Sequence, residues 1–254
     1  MKGVILAGGL GRRLEPLTRI TNKHLLPVYN KPMIYYPIQT LVAAGIKDIM
    51  IVTGGNNAGD FLRLLGNGQE FGLKHINYTY QRGEKGIADA LSLTEHFAGG
   101  QKIVVILGDN IIEKPIKNYV QRFSRQAQGA RILIKQVTNP ERFGVVYLRN
   151  NKIITISEKP KKPKSNYIVT GIYMYDKQVF DIIRTLKPSW RRELEITDVN
   201  NTYLKKGQLC YDVLEGYWTD CGLAETLYRA TSLVRNKLLK NKGLSPKGTV
   251  PKKL

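Results

Sequence analysis

An α/β fold on a mostly parallel sheet, covered by helices on both faces, is what this sequence predicts, and three observations carry that expectation. Strand-sized apolar runs alternate with segments of helical periodicity, the rhythm that builds parallel sheets. The first run, Gly3-Val4-Ile5-Leu6-Ala7, passes straight into the glycine-rich stretch Gly8-Gly9-Leu10-Gly11-Arg12-Arg13-Leu14. With 42% hydrophobic residues among 254, the chain can bury the core of one large domain.

Taken in order, residues 2–7 form the first strand. Pro32 stands where a first helical turn accepts it, and opens an apolar-periodic helix through Ile34, Ile38, Leu41 and Val42 that Gly45 closes. A strand at 49–53, a helix at 58–65, a strand at 75–80, a helix at 86–97 and a strand at 102–107 follow. Together they resemble a dinucleotide-fold half, about residues 1–110. Beyond Asp109 the rhythm changes. A helix at 116–126 and a strand at 130–137 lead to short strands at 145–148 and 153–157, joined by Asn150-Asn151, a pair suited to a tight hairpin. A strand at 167–175, helices at 177–186 and 196–205, and a last helix from near Leu223 complete a second half, about 111–235. No repeat or long linker divides residues 1–235, so one domain is expected. Residues 236–254 read as a flexible tail: they hold Lys237, Lys240, Lys242, Lys247, Lys252 and Lys253, no acid, and Gly243, Pro246, Gly248 and Pro251.

The net charge of +20 favours polyanionic partners without choosing among them. Lys159, Lys161, Lys162 and Lys164 cluster around Pro160 and Pro163, which keep the chain extended. A nucleic-acid role is disfavoured, because the basic residues are not interleaved with exposed-looking aromatics and match no docking motif. No apolar run is long enough for a membrane span or a signal peptide, so a cytoplasmic location is expected. Cys210 and Cys221 form no CxxC pair, and His24, His75 and His96 have no ligand spacing, which argues against disulfides and zinc. Cys221 has no histidine or metal motif to activate it and is taken as structural.

The glycine-rich stretch has the makings of a triphosphate cradle. Glycines let consecutive backbone N–H groups converge on an anion, and an arginine at the rim adds bidentate charge. It lacks the third glycine of the dinucleotide motif and the Gly-Lys-Ser/Thr of a P-loop, and an ordinary turn is the alternative. The strand at 103–107 runs into Gly108-Asp109-Asn110, so Asp109 emerges at the carboxyl rim that open α/β sheets use for ligands. Magnesium binding is its natural role, with Asp220 of Trp218-Thr219-Asp220-Cys221-Gly222 as the candidate second carboxylate. A turn cap for Asp109 and a helix cap for Asp220 are the alternatives.

Several blocks together resemble the sugar-1-phosphate nucleotidylyltransferases over residues 2 to about 235. They are Leu6 to Leu14, Lys23-His24-Leu25-Leu26-Pro27-Val28-Tyr29 with Lys31 to Pro37, Leu107-Gly108-Asp109-Asn110, Asn139 to Val146, Glu158-Lys159-Pro160, Pro163 to Tyr167, and Glu193-Leu194-Glu195-Ile196-Thr197-Asp198. The likeness is greatest to members that use dTTP and glucose-1-phosphate. It implies a Rossmann-like, three-layer nucleotidyltransferase sheet of the glycosyltransferase A type, with a β-hairpin added in the sugar-binding part. It also implies attack of a sugar-1-phosphate oxygen on the α-phosphorus, releasing pyrophosphate and leaving dTDP-glucose. By position, the resemblance gives the backbone of Gly8, Gly11 and Arg12 the task of wrapping the triphosphate, with Arg13 and Lys23 on its oxygens. Gln81 and Gly86 would read the thymine, and Asp109 with Asp220 would hold Mg2+. Gly144, Glu158 and Val169 would bind the hexose, and Lys159 the sugar phosphate. A homo-oligomer, typically a tetramer, is implied as well. Taken alone, Lys159 reads as a solvated charge, Glu158 as its partner and Lys23 as a surface residue.

The departures bear on substrate choice. His24 and Asp89 stand where glutamine is usual, and Arg82-Gly83-Glu84-Lys85 replaces a loop containing proline and serine. Thr219 and Cys221 replace leucine and threonine, while Asp220 and Gly222 remain. Longer members continue into helices of a regulatory site, which is not assumed here. UTP, CTP or another hexose phosphate, or a catalytically silent subunit that binds a nucleotide sugar, are the alternative functions.

Overall fold

The computed structural model describes residues 1–55 and 57–243. The first half runs β1 (Lys2–Ala7), β2 (Pro27–Val28), β3 (Lys31–Pro32), α1 (Tyr35–Ala43), β4 (Ile49–Gly54), α2 (Ala58–Leu65), β5 (Ile76–Gln81), α3 (Ile87–Ser92), α4 (Glu95–Ala98) and β6 (Ile103–Leu107). Then come β7 (Asn110–Ile112), α5 (Lys117–Arg125), β8 (Ala130–Gln136), β9 (Gly144–Arg149), β10 (Lys152–Glu158) and β11 (Tyr167–Tyr175). The chain continues with α6 (Gln178–Thr185), α7 (Ile196–Lys205), β12 (Leu209–Val213), β13 (Trp218–Asp220) and α8 (Ala224–Asn241).

Four parallel strands in the order β6-β1-β4-β5 form the first half of the sheet. Side chains alternate between its faces, as a pleated strand requires. Val4, Leu6, Ile103 and Val105 join one core beneath Leu91 of α3, Val179 and Ile183 of α6, and Val199 and Tyr203 of α7. Ile5, Ala7, Val104 and Ile106 join the other beneath Ile38 and Leu41 of α1, Phe61 of α2, and Phe123 of α5. This is the expected three-layer, Rossmann-like arrangement. No helix among the described residues is long and apolar enough to cross a membrane.

Strand β11 joins the two halves. It runs antiparallel to β6 in the register Ile172↔Ile106 to Tyr175↔Ile103, so its earlier residues extend past the end of β6 toward Asp109. There it meets the hairpin: Ile168 pairs with Val145, and within the hairpin Gly144 pairs with Glu158. Asn150 and Asn151 both hold positive φ, 49° and 56°, and turn the hairpin as anticipated. Gly171 lets β11 approach so closely, since a Cβ there would lie 2.6 Å from Asn110 Nδ2. On its other edge β11 pairs with β8, and β12 lies beyond.

Three expectations need correction. Pro32 does not open a helix: it pairs with Pro27 in the β2–β3 ladder, and α1 starts at Tyr35 with Pro37 in its first turn. There the missing N–H of Pro37 costs no hydrogen bond. The helix expected at 86–97 is two helices, because the Thr94 N–H and hydroxyl both donate to Leu91 O, at 3.0 and 2.7 Å, and tighten the turn between them. The stretch read as a tail is helical as far as Asn241, and Lys237 Nζ donates to Glu113 O at 2.8 Å. The rest of that stretch, 244–254, lies outside the described residues.

Candidate active site

Strand β1 delivers the glycine loop to the carboxyl rim of the sheet. Gly11 takes φ 70°, a left-handed conformation that suits glycine, and its carbonyl accepts from Leu14 N at 2.8 Å to open the turn Arg12–Leu14. Gly8 lies against strand neighbours: a Cβ on it would stand 2.9 Å from Gln81 Oε1. Around this loop lies a cavity of about 360 Å³, and Gly8, Gly11, Arg12, Arg13, Lys23, Gln81, Gly86 and Asp109 all line it. Every residue assigned to the nucleotide by position is therefore brought to one cavity.

A second cavity, of about 190 Å³, adjoins the first beyond the end of β6. Gly144, Glu158, Lys159, Val169 and Asp220 line it, and Arg13 and Asp109 line both cavities. Register explains the convergence. The Gly144–Glu158 pair sits beside Ile168, one residue from Val169, and β11 carries both past β6 to Asp109. Thr197 of α7 donates to Glu158 Oε2 at 2.5 Å, and Lys159 Nζ lies 3.7 Å from Glu158 Oε1.

The two aspartates are joined by a small ladder too short to show in the sequence pattern. Strand β13 pairs antiparallel with β7, placing Asp220 opposite Asn110, and Cys221 N donates to Asp109 O at 2.9 Å. Lys23 Nζ contacts Asp109 Oδ2 at 2.6 Å, and Asn110 Nδ2 donates to Oδ1 at 3.0 Å. Burial opposes ionisation of Asp109, but Lys23, His24 and these hydrogen bonds bring its carboxyl down to about 2. Asp220 behaves oppositely: burial and then the Asp109 charge push it above the usual carboxylate range, against the pull of Arg142. Arg142 donates to Asp220 Oδ2 at 3.1 Å. A Cβ on Gly222 would lie 2.9 Å from Asp220 Oδ2 and 3.2 Å from an Arg13 nitrogen, so Arg13 reaches the same corner.

Supporting groups fix these side chains. His24 is buried, and its ring Nδ1 and backbone N both lie within hydrogen-bond reach of Asn22 Oδ1, at 2.7 and 3.0 Å. Burial, and then the Lys23 charge, pull the imidazole down to about 3, so it is neutral at pH 7. Burial pushes the Cys221 thiol well up, leaving little thiolate.

Residues without an assigned role also line the cleft. Arg191 faces the first cavity and binds Glu193 at 2.7 Å and Glu195 at 3.3 Å, with Glu158 at 3.6 Å. Arg142, Thr197, Asn110 and Trp218 line the second. Arg142 and Thr197 fall inside blocks already quoted for the resemblance, which is the signal that could have found them. Arg191 lies just before such a block, in a run of mixed charge with no pattern of its own.

Comparison with known proteins agrees with this geometry. A profile of the nucleotidyl transferase family matches residues 2–237. The chain belongs to that family. Among its relatives, a glucose-1-phosphate thymidylyltransferase of Neisseria meningitidis serogroup A is 45% identical over 92% of this chain and 83% of its own length. One from Mycolicibacterium smegmatis is 44% identical over 92% of this chain and 82% of its own. A crystal structure from Bacillus anthracis in complex with a sucrose, whose assignment as a glucose-1-phosphate thymidylyltransferase is itself provisional, superposes with a TM-score of 0.89. It is 54% identical and covers 93% of this chain and 96% of that one. A UDP-glucose pyrophosphorylase complexed with UDP-glucose is similar in fold at a TM-score of 0.83 and 25% identity, covering 93% and 98%. Family membership and the α/β nucleotidyltransferase fold follow.

Proposed function

We propose that this protein catalyses magnesium-dependent transfer of a thymidylyl group from dTTP to glucose-1-phosphate, giving dTDP-glucose and pyrophosphate in the cytoplasm. The observation that carries this reading is the junction of the two cavities. One is walled by a glycine loop with Arg12, Arg13 and Lys23, the other by Glu158 and Lys159, and Arg13 and Asp109 stand where they meet. The names of the relatives supply the substrates.

Both reactants are anions, so the protein's task is to align them and offset their repulsion. The glycine loop holds the triphosphate by backbone N–H groups, with Gln81 and Gly86 on the base. Glu158 accepts from hexose hydroxyls, oriented by Thr197, Gly144 and Val169 shape the pocket, and Lys159 grips the sugar phosphate. An oxygen of that phosphate attacks the α-phosphorus as the bond to the bridging oxygen breaks and pyrophosphate leaves. Arg13 at the junction stabilises the charge on the transferring group, and no covalent enzyme intermediate is required.

Asp109 and Asp220 fit a magnesium site. Both are oxygen donors of the hard type this ion takes, two carboxylates suffice when phosphates supply further ligands, and Asp220 is raised partly by its neighbour's charge, a repulsion a cation relieves. Magnesium bound there would neutralise phosphate charge and help hold the triphosphate. Lys23, now paired with Asp109, would then turn its charge to the phosphate oxygens.

Pyrophosphate release from glucose-1-phosphate and magnesium, with dTTP, UTP, CTP, ATP and GTP in parallel, tests the proposal. Release with dTTP well above the rest is expected. Preference for another triphosphate keeps the chemistry and moves the substrate, whereas no release with any sugar phosphate points to a silent binding subunit. The same reading carries a homo-oligomer, which light scattering of the purified chain checks.

A further inference from the structure

Gln81 ends strand β5 with 6% of its surface exposed and forms part of the wall of the nucleotide cavity. Its Nε2 donates twice, to Gly86 O at 3.1 Å and to Asp89 Oδ2 at 2.8 Å. Both amide hydrogens are engaged. The carbonyl oxygen Oε1 turns toward the glycine loop, 2.9 Å from where a Cβ on Gly8 would stand. Asp89 sits in the first turn of α3. A carboxylate and a carbonyl only accept, so a flipped amide would set Oε1 against two acceptors. Glutamine, usual in the family at this position, carries both a donor and an acceptor and would leave that choice to Gly86 O alone.

We infer that Asp89 is a positioning residue for base selection: together with Gly86 O, and by the shorter of the two bonds, it holds Gln81 as a hydrogen-bond acceptor facing the nucleotide cavity, so that the base must present an N–H there. The inference rests on the proposed reading of Gln81 as a base contact. Thymine and uracil carry one N–H on the free ring, N3–H, and this is the donor that answers Oε1. Cytosine placed in the same way sets a lone pair at N3 against that oxygen and is rejected. A methyl group at C5 is not sensed by this device, which therefore does not itself separate thymine from uracil.

The test compares kcat/KM for dTTP, dUTP and dCTP, with glucose-1-phosphate and magnesium, in the wild-type protein, Asp89→Asn and Asp89→Glu. Asparagine keeps the size of aspartate but can donate as well as accept, which leaves Gly86 O, at 3.1 Å, as the one remaining acceptor that opposes a flip of the Gln81 amide. The wild type is expected to favour dTTP and dUTP over dCTP. In D89N the dTTP-to-dCTP ratio falls, by up to about tenfold because Gly86 O still resists the flip, while the KM for glucose-1-phosphate is unchanged. D89E, still an acceptor only, keeps the ratio. A merely structural role would lower all three triphosphates together. If D89N does not turn over, the ratio of Kd values for dTTP and dCTP carries the same comparison. An unchanged ratio in D89N, or a wild type that does not favour dTTP and dUTP over dCTP, overturns the inference and leaves nucleotidyl transfer standing. A wild type that releases no pyrophosphate from any triphosphate overturns the reading beneath it.

Discussion

The two cavities share Arg13 and Asp109 yet are held in different ways. The proposed nucleotide side has a loosely tethered charge at its rim: Arg12 is 72% exposed and meets Glu84, itself 42% exposed, at 3.1 Å across the cavity mouth. The proposed sugar side is fixed from behind. Glu158 is held by Thr197 and flanked by Lys159 and Arg191, and Arg191 is braced by Glu193 and Glu195. Triphosphates are flexible polyanions that adaptable charge can follow, whereas a hexose is told apart by hydroxyl geometry that only a rigid donor and acceptor set can read. One side gathers charge and the other measures shape.

The largest expected effect lies where the two sides meet. Asp109→Asn keeps the size of the side chain but removes the charge that pairs with Lys23 and would hold magnesium. Turnover at saturating magnesium should fall by about 100-fold or more, with the fold intact by circular dichroism. Unimpaired turnover would show the metal assignment to be wrong. Next comes Glu158→Gln, which should act on the sugar side alone. A charge-assisted hydrogen bond is worth about 1.5–3 kcal/mol, so kcat/KM for glucose-1-phosphate should drop by roughly ten- to hundredfold while the KM for dTTP stays put. Equal losses for both substrates would deny the division between the cavities.

A smaller effect falls on the stability of the shared scaffold and follows pH. His24 lies behind Lys23, buried and held at about 3 against an ordinary value of 6.5. Between those values the unfolded chain binds a proton that the folded chain refuses. Folding stability therefore declines as pH falls below about 6.5, by up to ~1.4 kcal/mol per pH unit from this group. His24→Gln removes that slope. Denaturant titrations from pH 7 to 4 should show the wild type losing stability faster than H24Q; parallel curves would contradict the burial argument.

How much of this was legible beforehand varied with sequence distance. The glycine loop, β1, β6 and Asp109 are local: an apolar run followed by a turn states both the strand and the residue it delivers. Asp220 was found as a candidate, but the ladder that sets it beside Asn110 joins two strands of three residues each, too short for any periodicity to show. The second cavity depends on the register of β11 against β6 and of β9 against β10, which no alternation within one strand specifies. Pro32 misled because proline serves a first helical turn and a short ladder alike. The Gln81–Asp89 bond needed α3 packed on the end of β5, and the sequence offered only an unusual aspartate.

The smallest expected effect concerns the loose side itself. Glu84 belongs to the loop that departs from the family pattern, and its ion pair with Arg12 would compete with a triphosphate held as proposed. Such an exposed pair contributes only about 0–1 kcal/mol. Glu84→Gln should therefore lower the KM for dTTP by no more than about fivefold, without altering the KM for glucose-1-phosphate. Salt supplies the control, since exposed charges are screened beyond about 10 Å at 0.1 M ionic strength. The gain should shrink as salt rises, while the loss in E158Q, which comes from a hydrogen bond in a braced pocket, should not. If both variants responded to salt in the same way, the contrast between a side that gathers charge and a side that measures shape would fail.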